Sequence, residues 1–158
     1  MERDMVQKIE LKVKKLEHFD SELPLPSYET AGAAGADLRA SMPNKETLVI
    51  PAGKRVLVPT GLSYEIPEGY EVQVRPRSGM SLKTNLLIVN SPGTIDCDYR
   101  GEIKIIIGNF GDDEAHIEHG DRIAQMVIAP VTQATIVETT SLSETERGQG
   151  GFGSTGKK

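Results

Sequence analysis

The chain of 158 residues has no tryptophan, a single cysteine and only seven aromatic side chains, four Tyr and three Phe. One cysteine excludes a disulfide framework within the chain and makes a reducing, cytoplasmic setting the default expectation. No uncharged apolar run approaches the ~20 residues of a membrane helix, and the N-terminal Met1-Glu2-Arg3-Asp4-Met5 carries no signal-peptide core. There is no basic excess either: 18 Lys and Arg against 23 Asp and Glu give a formal net charge of −5. That sign argues against a nucleic-acid or acidic-membrane partner, yet leaves room for a small anionic ligand held by a few local Arg and backbone N–H groups.

With few aromatics, the core must be built from something else. Eleven Val, 13 Ile and 11 Thr outnumber the aromatics fivefold, and β-branched side chains favour pleated strands. Sixteen Gly and nine Pro further disfavour long helices. The hydrophobic pattern agrees, because it repeats every second residue. Ile9, Leu11 and Val13 alternate with charged residues; Val56 and Val58 flank Leu57; Tyr70, Val72 and Val74 alternate with Glu71, Gln73 and Arg75. Ile103–Ile107 is nearly continuous, as in a strand covered on both faces. Further strands are predicted at Leu86–Val89, Ile123–Ile128 and Thr135–Val137. Turn residues such as Pro51-Ala52-Gly53, Pro67-Glu68-Gly69 and His119-Gly120-Asp121 separate them at short intervals. The prediction is an all-β sandwich or barrel with one short helix, Ser78 to about Lys83. From Arg147 to Gly156, five of ten residues are glycine, too little side chain to bury. We therefore expect a domain over 1–146 and a flexible C-terminal arm over 147–158.

That arm matches two phosphate-loop patterns by letter, Gly148/Gly150/Gly153 and Gly151 to Lys157. Both need a strand before and a helix after, and neither is available so close to Lys158. Cys97 between Asp96 and Asp98 is a poor nucleophile, since two carboxylates disfavour the thiolate. His116 and His119 read as solvated loop residues rather than a metal pair, and His18 has no visible partner. Ser78-Gly79 after Arg75-Pro76-Arg77 reads either as a capped turn with Ser78 as N-cap or as an anion site. Gly93 to Gly101 reads as a hairpin whose Asp96, Asp98 and Tyr99 serve either turn chemistry or activation of water.

In order, Ala34-Gly35-Ala36-Asp37-Leu38-Arg39, Pro76-Arg77-Ser78-Gly79-Met80, Gly93-Thr94-Ile95-Asp96-Cys97-Asp98-Tyr99-Arg100-Gly101-Glu102, Gly120-Asp121-Arg122-Ile123-Ala124-Gln125-Met126 and the glycine-rich 147–156 resemble the five motifs of the homotrimeric dUTP pyrophosphatases, the dUTPases. The resemblance spans about residues 9 to 156. It implies a distorted jelly-roll β-fold, a homotrimer whose active sites are shared between subunits, Mg²⁺ as cofactor, and hydrolysis of dUTP to dUMP and pyrophosphate. Such an activity limits uracil incorporation into DNA and supplies dUMP for dTMP synthesis. By the resemblance, Asp96 is the general base for the water attacking the α-phosphorus, and Tyr99 lies against the deoxyribose. Asn90, with backbone groups of Thr94, Ile95 and Lys104, reads the uracil edge. Arg77, Ser78, Gly79 and Gln125 hold the triphosphate, with Asp37 in the outer shell of the metal through water. Arg147, Ser154 and Thr155 contact the terminal phosphates while Phe152 stacks on the base. Lys83-Thr84-Asn85 departs from the Lys-His-Gly common in the second motif. The alternatives are a dCTP deaminase of the same fold, which places a Glu in the strand after the hairpin where Ile103–Ile107 has none, and a non-catalytic nucleotide-sensing module.

Overall fold

A computed structural model describes residues 7–152. Ten strands and one helix follow in the order β1 (Lys12–Lys15), β2 (Gly35–Arg39), β3 (Leu48–Ile50), β4 (Arg55–Glu65), β5 (Tyr70–Arg75), α1 (Ser78–Lys83), β6 (Leu86–Ile88), β7 (Gly93–Ile95), β8 (Glu102–Asn109), β9 (Ala115–Ile117) and β10 (Arg122–Pro130). They form two four-stranded sheets, β1-β4-β8-β6 and β2-β10-β5-β7, and a two-stranded β3-β9 ladder. Every pairing is antiparallel. The period-two pattern explains the layers. Val58, Leu62, Tyr64, Ile103, Ile105 and Ile107 from the first sheet share one buried cluster with Ala36, Leu38, Val72, Val74, Ala124 and Met126 from the second. Among the described residues Tyr64 is the one fully buried aromatic, its hydroxyl against Met126 Sδ at 3.3 Å. Burial pushes that phenol's pKa well above its ordinary value.

Two connections shape the site. The β4–β8 ladder shifts register between Pro59 and Ser63, a bulge that frees Thr60 and Gly61 from ordinary pairing. Thr60 Oγ donates to Ile103 O at 2.6 Å. Gly61 takes φ +69°, and a Cβ there would lie 2.9 Å from Phe19 Cα, so both conformation and space require glycine. On the other sheet, β10 aligns Gln125 with Asp37 of β2 and with Arg75 of β5.

Several expectations change on contact with the structure. Residues 93–101 do not form a paired hairpin: β7 pairs with β5 in one sheet while β8 pairs with β4 and β6 in the other. The chain between them crosses the sandwich, and the letters of a Gly-bounded turn do not reveal which sheet each arm joins. Thr135–Val137 is not a strand, since its strand-forming side chains find no partner in this chain. The first strand starts at Lys12 rather than Ile9. The helix has the predicted bounds, but Arg77 occupies the N-cap and Ser78 is already helical, with no side-chain cap bond. β8 keeps some alternation, with Lys104 exposed and Ile106 half-buried, and it begins at Glu102, one residue earlier than the apolar run.

Candidate active site

Where the chain crosses from β7 to β8, the two sheets part and leave a cavity of about 450 Å³, within the ~300–1,000 Å³ usual for small-molecule sites. Its walls are apolar: Leu57, Val74, Ile88, Ile95, Ile103, Ile105 and Ile106. Set into them are Asn90, Thr94, Asp96, Tyr99, Glu102 and Lys104. Strand alternation and the two short turns deliver these polar groups. Asn90 follows β6 in a turn closed by Ser91 N–H to Ile88 O at 3.2 Å. Its amide fits because residue 93 is glycine; a Cβ there would stand 3.3 Å from Asn90 Nδ2 and 3.4 Å from Val74 Cβ.

Asp96 opens the turn that Tyr99 N–H closes onto Asp96 O at 3.1 Å. Arg100 Nη1 caps the same turn, donating to Cys97 O at 2.6 Å and Tyr99 O at 3.2 Å. Among the described residues the Asp96 carboxylate has no side-chain hydrogen bond or ion pair, so it is free to accept a proton. The Tyr99 hydroxyl donates to Glu102 O at 3.0 Å, and its ring covers Gly101, where a Cβ would meet the ring and hydroxyl.

A second group gathers at one end of the β2-β10-β5 sheet. Asp37 accepts from Arg77 Nε at 2.8 Å and from Arg122 Nη1 at 3.3 Å, one guanidinium on each oxygen. Gln125 Nε2 donates to Pro76 O at 2.9 Å and lies against Gly35, where any Cβ would collide with its amide. Asp37, Arg77, Ser78, Gly79 and Gln125 thus fall together, as the motifs require, but none of them lines the cavity. Arg147 is elsewhere again, its Nε bonded to Gly150 O at 2.9 Å. Phe152 is fully exposed at φ +52°. Ser154 and Thr155 lie outside the described residues.

Sequence reasoning missed three polar groups here. Arg122, quoted within a motif but given no role, completes the clamp on Asp37. Glu102, the last letter of another motif, lines the cavity. His18 holds Glu102, with Nε2 2.8 Å from Glu102 Oε1, so it does have a partner. His119 is likewise no solvated loop residue: it is 12 % exposed, accepts from Met42 N–H through Nδ1 at 3.0 Å, and donates through Nε2 to Asp20 at 2.9 Å. Asp20 also binds Lys45 Nζ at 2.9 Å. The Lys45 ammonium first, then the Glu22 N–H and His119, hold the Asp20 carboxyl far below the usual carboxylate range. His116 is solvated as expected, half exposed beside Glu114, but it lies on β9 rather than in a loop.

No three His, Cys, Asp or Glu side chains converge as metal ligands among the described residues. A hard cation carried in by phosphate oxygens and water does not need such a set. Each Asp37 oxygen accepts from one guanidinium and keeps lone-pair capacity for water, so water-mediated contact with a cation fits that carboxylate.

Comparison with known proteins bears on the whole arrangement. The dUTPase family model matches residues 21–156. The deoxyuridine 5'-triphosphate nucleotidohydrolase of Roseobacter denitrificans is 57 % identical over 148 residues, 94 % of this chain and 97 % of that protein. The protein of the same name from Rhizobium etli is 60 % identical over 134 residues, 85 % of this chain and 86 % of the relative. Among solved structures, the dUTPase of Staphylococcus bacteriophage 80alpha with dUpNHpp superposes with TM-score 0.81 at 30 % identity, covering 94 % of this chain and 99 % of that one. The two-sheet, jelly-roll-like architecture and the five ordered motifs have the same source: the chain belongs to the dUTPase family.

Proposed function

We propose that this chain hydrolyses dUTP to dUMP and pyrophosphate, the activity named for its relatives, and that it does so as a homotrimer. The observation that carries the chemistry is the cavity: an apolar slot sized for a nucleoside, with one amide, one unpaired carboxylate and one tyrosine in its rim. Asn90 and the backbone of Thr94, Ile95 and Lys104 bond the uracil edge, a donor and acceptor set that selects that base. Tyr99 lies against the sugar and rejects a 2′-hydroxyl. Asp96 takes a proton from water as its oxygen bonds the α-phosphorus; the bond from that phosphorus to the bridging oxygen breaks, and pyrophosphate leaves. Arg77, Ser78, Gly79 and Gln125 neutralise and orient the phosphates, which is most of what phosphoryl substitution requires. When bound, Mg²⁺ supplies further charge neutralisation at the phosphate oxygens, with Asp37 fitting its outer shell through water.

The trimer reading is supported by separation. In one chain the Asp37–Arg77–Gln125 cluster and Phe152 do not line the nucleoside cavity, an arrangement that fits a site completed by another copy. Ile136, Val137 and Leu142 are 90 %, 75 % and 87 % exposed, a segment that burial against another copy would stabilise. The arm from Arg147 onward then closes over nucleotide, with Phe152 on the base and Ser154 and Thr155 at the terminal phosphate. No helix among the described residues is long and apolar enough to cross a membrane, and a cytoplasmic enzyme fits the single cysteine.

The deaminase alternative loses ground, although β8 does begin with a Glu. The Glu102 carboxylate is held by His18 and by Gly61 N–H at 2.9 Å, with Lys104 at 3.5 Å. Incubation with dUTP, dCTP and UTP, with pyrophosphate and ammonia both measured, tests the reading. Pyrophosphate from dUTP alone is expected; ammonia from dCTP, or no turnover of dUTP, overturns it.

A further inference from the structure

The loop after β1 carries a histidine with no role in any motif, yet it reaches Glu102, a residue that lines the cavity. Leu16 N–H donates to Gly61 O at 2.8 Å and Phe19 N–H to Leu16 O at 3.0 Å, which lays residues 16–19 along the β4 bulge. Phe19 packs on the bare Cα of Gly61, and the buried Ser41 hydroxyl donates to His18 O at 3.3 Å. The backbone on both sides of His18 is therefore fixed, and its ring is aimed at Glu102. The ring and the carboxylate are 26 % and 12 % exposed, so their bond is shielded from competing water.

Glu102 stands between two other polar groups of the slot, Tyr99 and Lys104. Its Oε1 receives both His18 Nε2–H and the Gly61 N–H that the bulge leaves without a ladder partner. Its Oε2 lies 3.5 Å from Lys104 Nζ. Its backbone oxygen receives the Tyr99 hydroxyl. One residue thus touches the Lys104 side chain through its carboxylate and the tyrosine assigned to the sugar through its backbone oxygen. We propose that His18 is a positioning residue for this reaction: by pinning the Glu102 side chain against the β4 bulge, it fixes residue 102, whose backbone oxygen carries the Tyr99 hydroxyl, in place for the deoxyribonucleoside. The inference rests on the dUTP reading above and deepens it, naming what keeps the sugar gate in register.

A loop anchor and a positioning residue make different predictions. If His18 only pins the loop, His18→Ala lowers the melting temperature and leaves the surviving folded enzyme normal. If it positions the gate, the variant at a temperature well below melting keeps its kcat within about twofold, while KM for dUTP rises roughly three- to tenfold, the scale of one neutral hydrogen bond such as that from Tyr99 to Glu102 O. The ratio of kcat/KM for dUTP over UTP falls with it. His18→Gln, whose amide can still donate to Glu102, restores both values at least in part, whatever its melting temperature. Unchanged KM and unchanged selectivity in His18→Ala, or a Gln variant as impaired as the Ala variant, overturns the positioning role alone. No turnover of dUTP by the unsubstituted protein overturns the functional reading and this inference with it.

Discussion

Gly101→Ala is a one-carbon test of how the sugar is selected. The new Cβ would sit 2.9 Å from Tyr99 Cε2 and closer still to Cζ and the hydroxyl. Ordinary carbon contacts lie at about 3.5–4.0 Å, so the phenol must retreat by roughly an ångström. It can, because Tyr99 is 47 % exposed. The retreat breaks its bond to Glu102 O, worth about 1 kcal/mol in a partly exposed setting. For a chain of this size that corresponds to a melting temperature lower by only about 2–4 °C. The functional effect should be larger than the stability effect, because an ångström of displacement beside the sugar opens room for a hydroxyl. We expect kcat/KM for dUTP to drop while that for UTP holds or rises, narrowing the preference roughly tenfold or more, the value of about 1.4 kcal/mol. Steady-state kinetics on both nucleotides at 25 °C, with a thermal melt on the same preparation, measures both. A preference equal to that of the parent protein refutes Tyr99 as the gate. A loss of more than about 3 kcal/mol of stability would show that residue 101 constrains the backbone instead.

How far the sequence carries depends on whether a feature is local. The period-two runs place β4 and β5, and the apolar runs Ile103–Ile107 and Ile123–Ile128 place β8 and β10, because the pattern within one segment states which faces are buried. The helix bounds at Ser78 and Lys83 are legible from Gly and Pro punctuation. The motif residues Asn90, Thr94, Ile95, Asp96, Tyr99 and Lys104 do gather in one cavity. What was illegible depends on partners distant in sequence. His18 meets Glu102 across 84 positions and His119 meets Asp20 across 99, and no pattern around either histidine announces the other end. The β7–β8 crossing looks like a hairpin because turn residues specify that the chain bends, not which sheet receives it. Thr135–Val137 has the composition of a strand, but a strand exists only with a neighbour to pair with.

Three further perturbations follow from particular contacts. Gly61→Ala combines a left-handed φ with a Cβ against the Phe19 backbone, so urea unfolding should show a loss of roughly 2–4 kcal/mol; a change below 0.5 kcal/mol would refute the bulge geometry. Asp20 has a depressed pKa in the folded state, so its contribution is present above the unfolded carboxylate value of about 3.9 and is lost as pH falls below it. Asp20→Asn should therefore lower the melting temperature at pH 7 and bring it closer to the parent's as pH approaches 2, and a constant offset across that range would refute the Lys45 and His119 pairing. The last perturbation asks whether sites are shared between copies. Asp96→Asn removes the only carboxylate in the cavity rim without a partner, and kcat should fall ~10²–10⁴-fold. Deleting residues 147–158 removes the arm, and dUTP turnover should fall while dUMP still binds. Each preparation is nearly inactive alone, for a different reason. Co-refolded together, they form trimers in which an intact Asp96 from one copy meets an intact arm from another, and activity should return in proportion to the mixed species. If native mass spectrometry shows mixed trimers and the activity stays at the sum of the two parents, each chain closes its own arm over its own cavity, and the shared site fails.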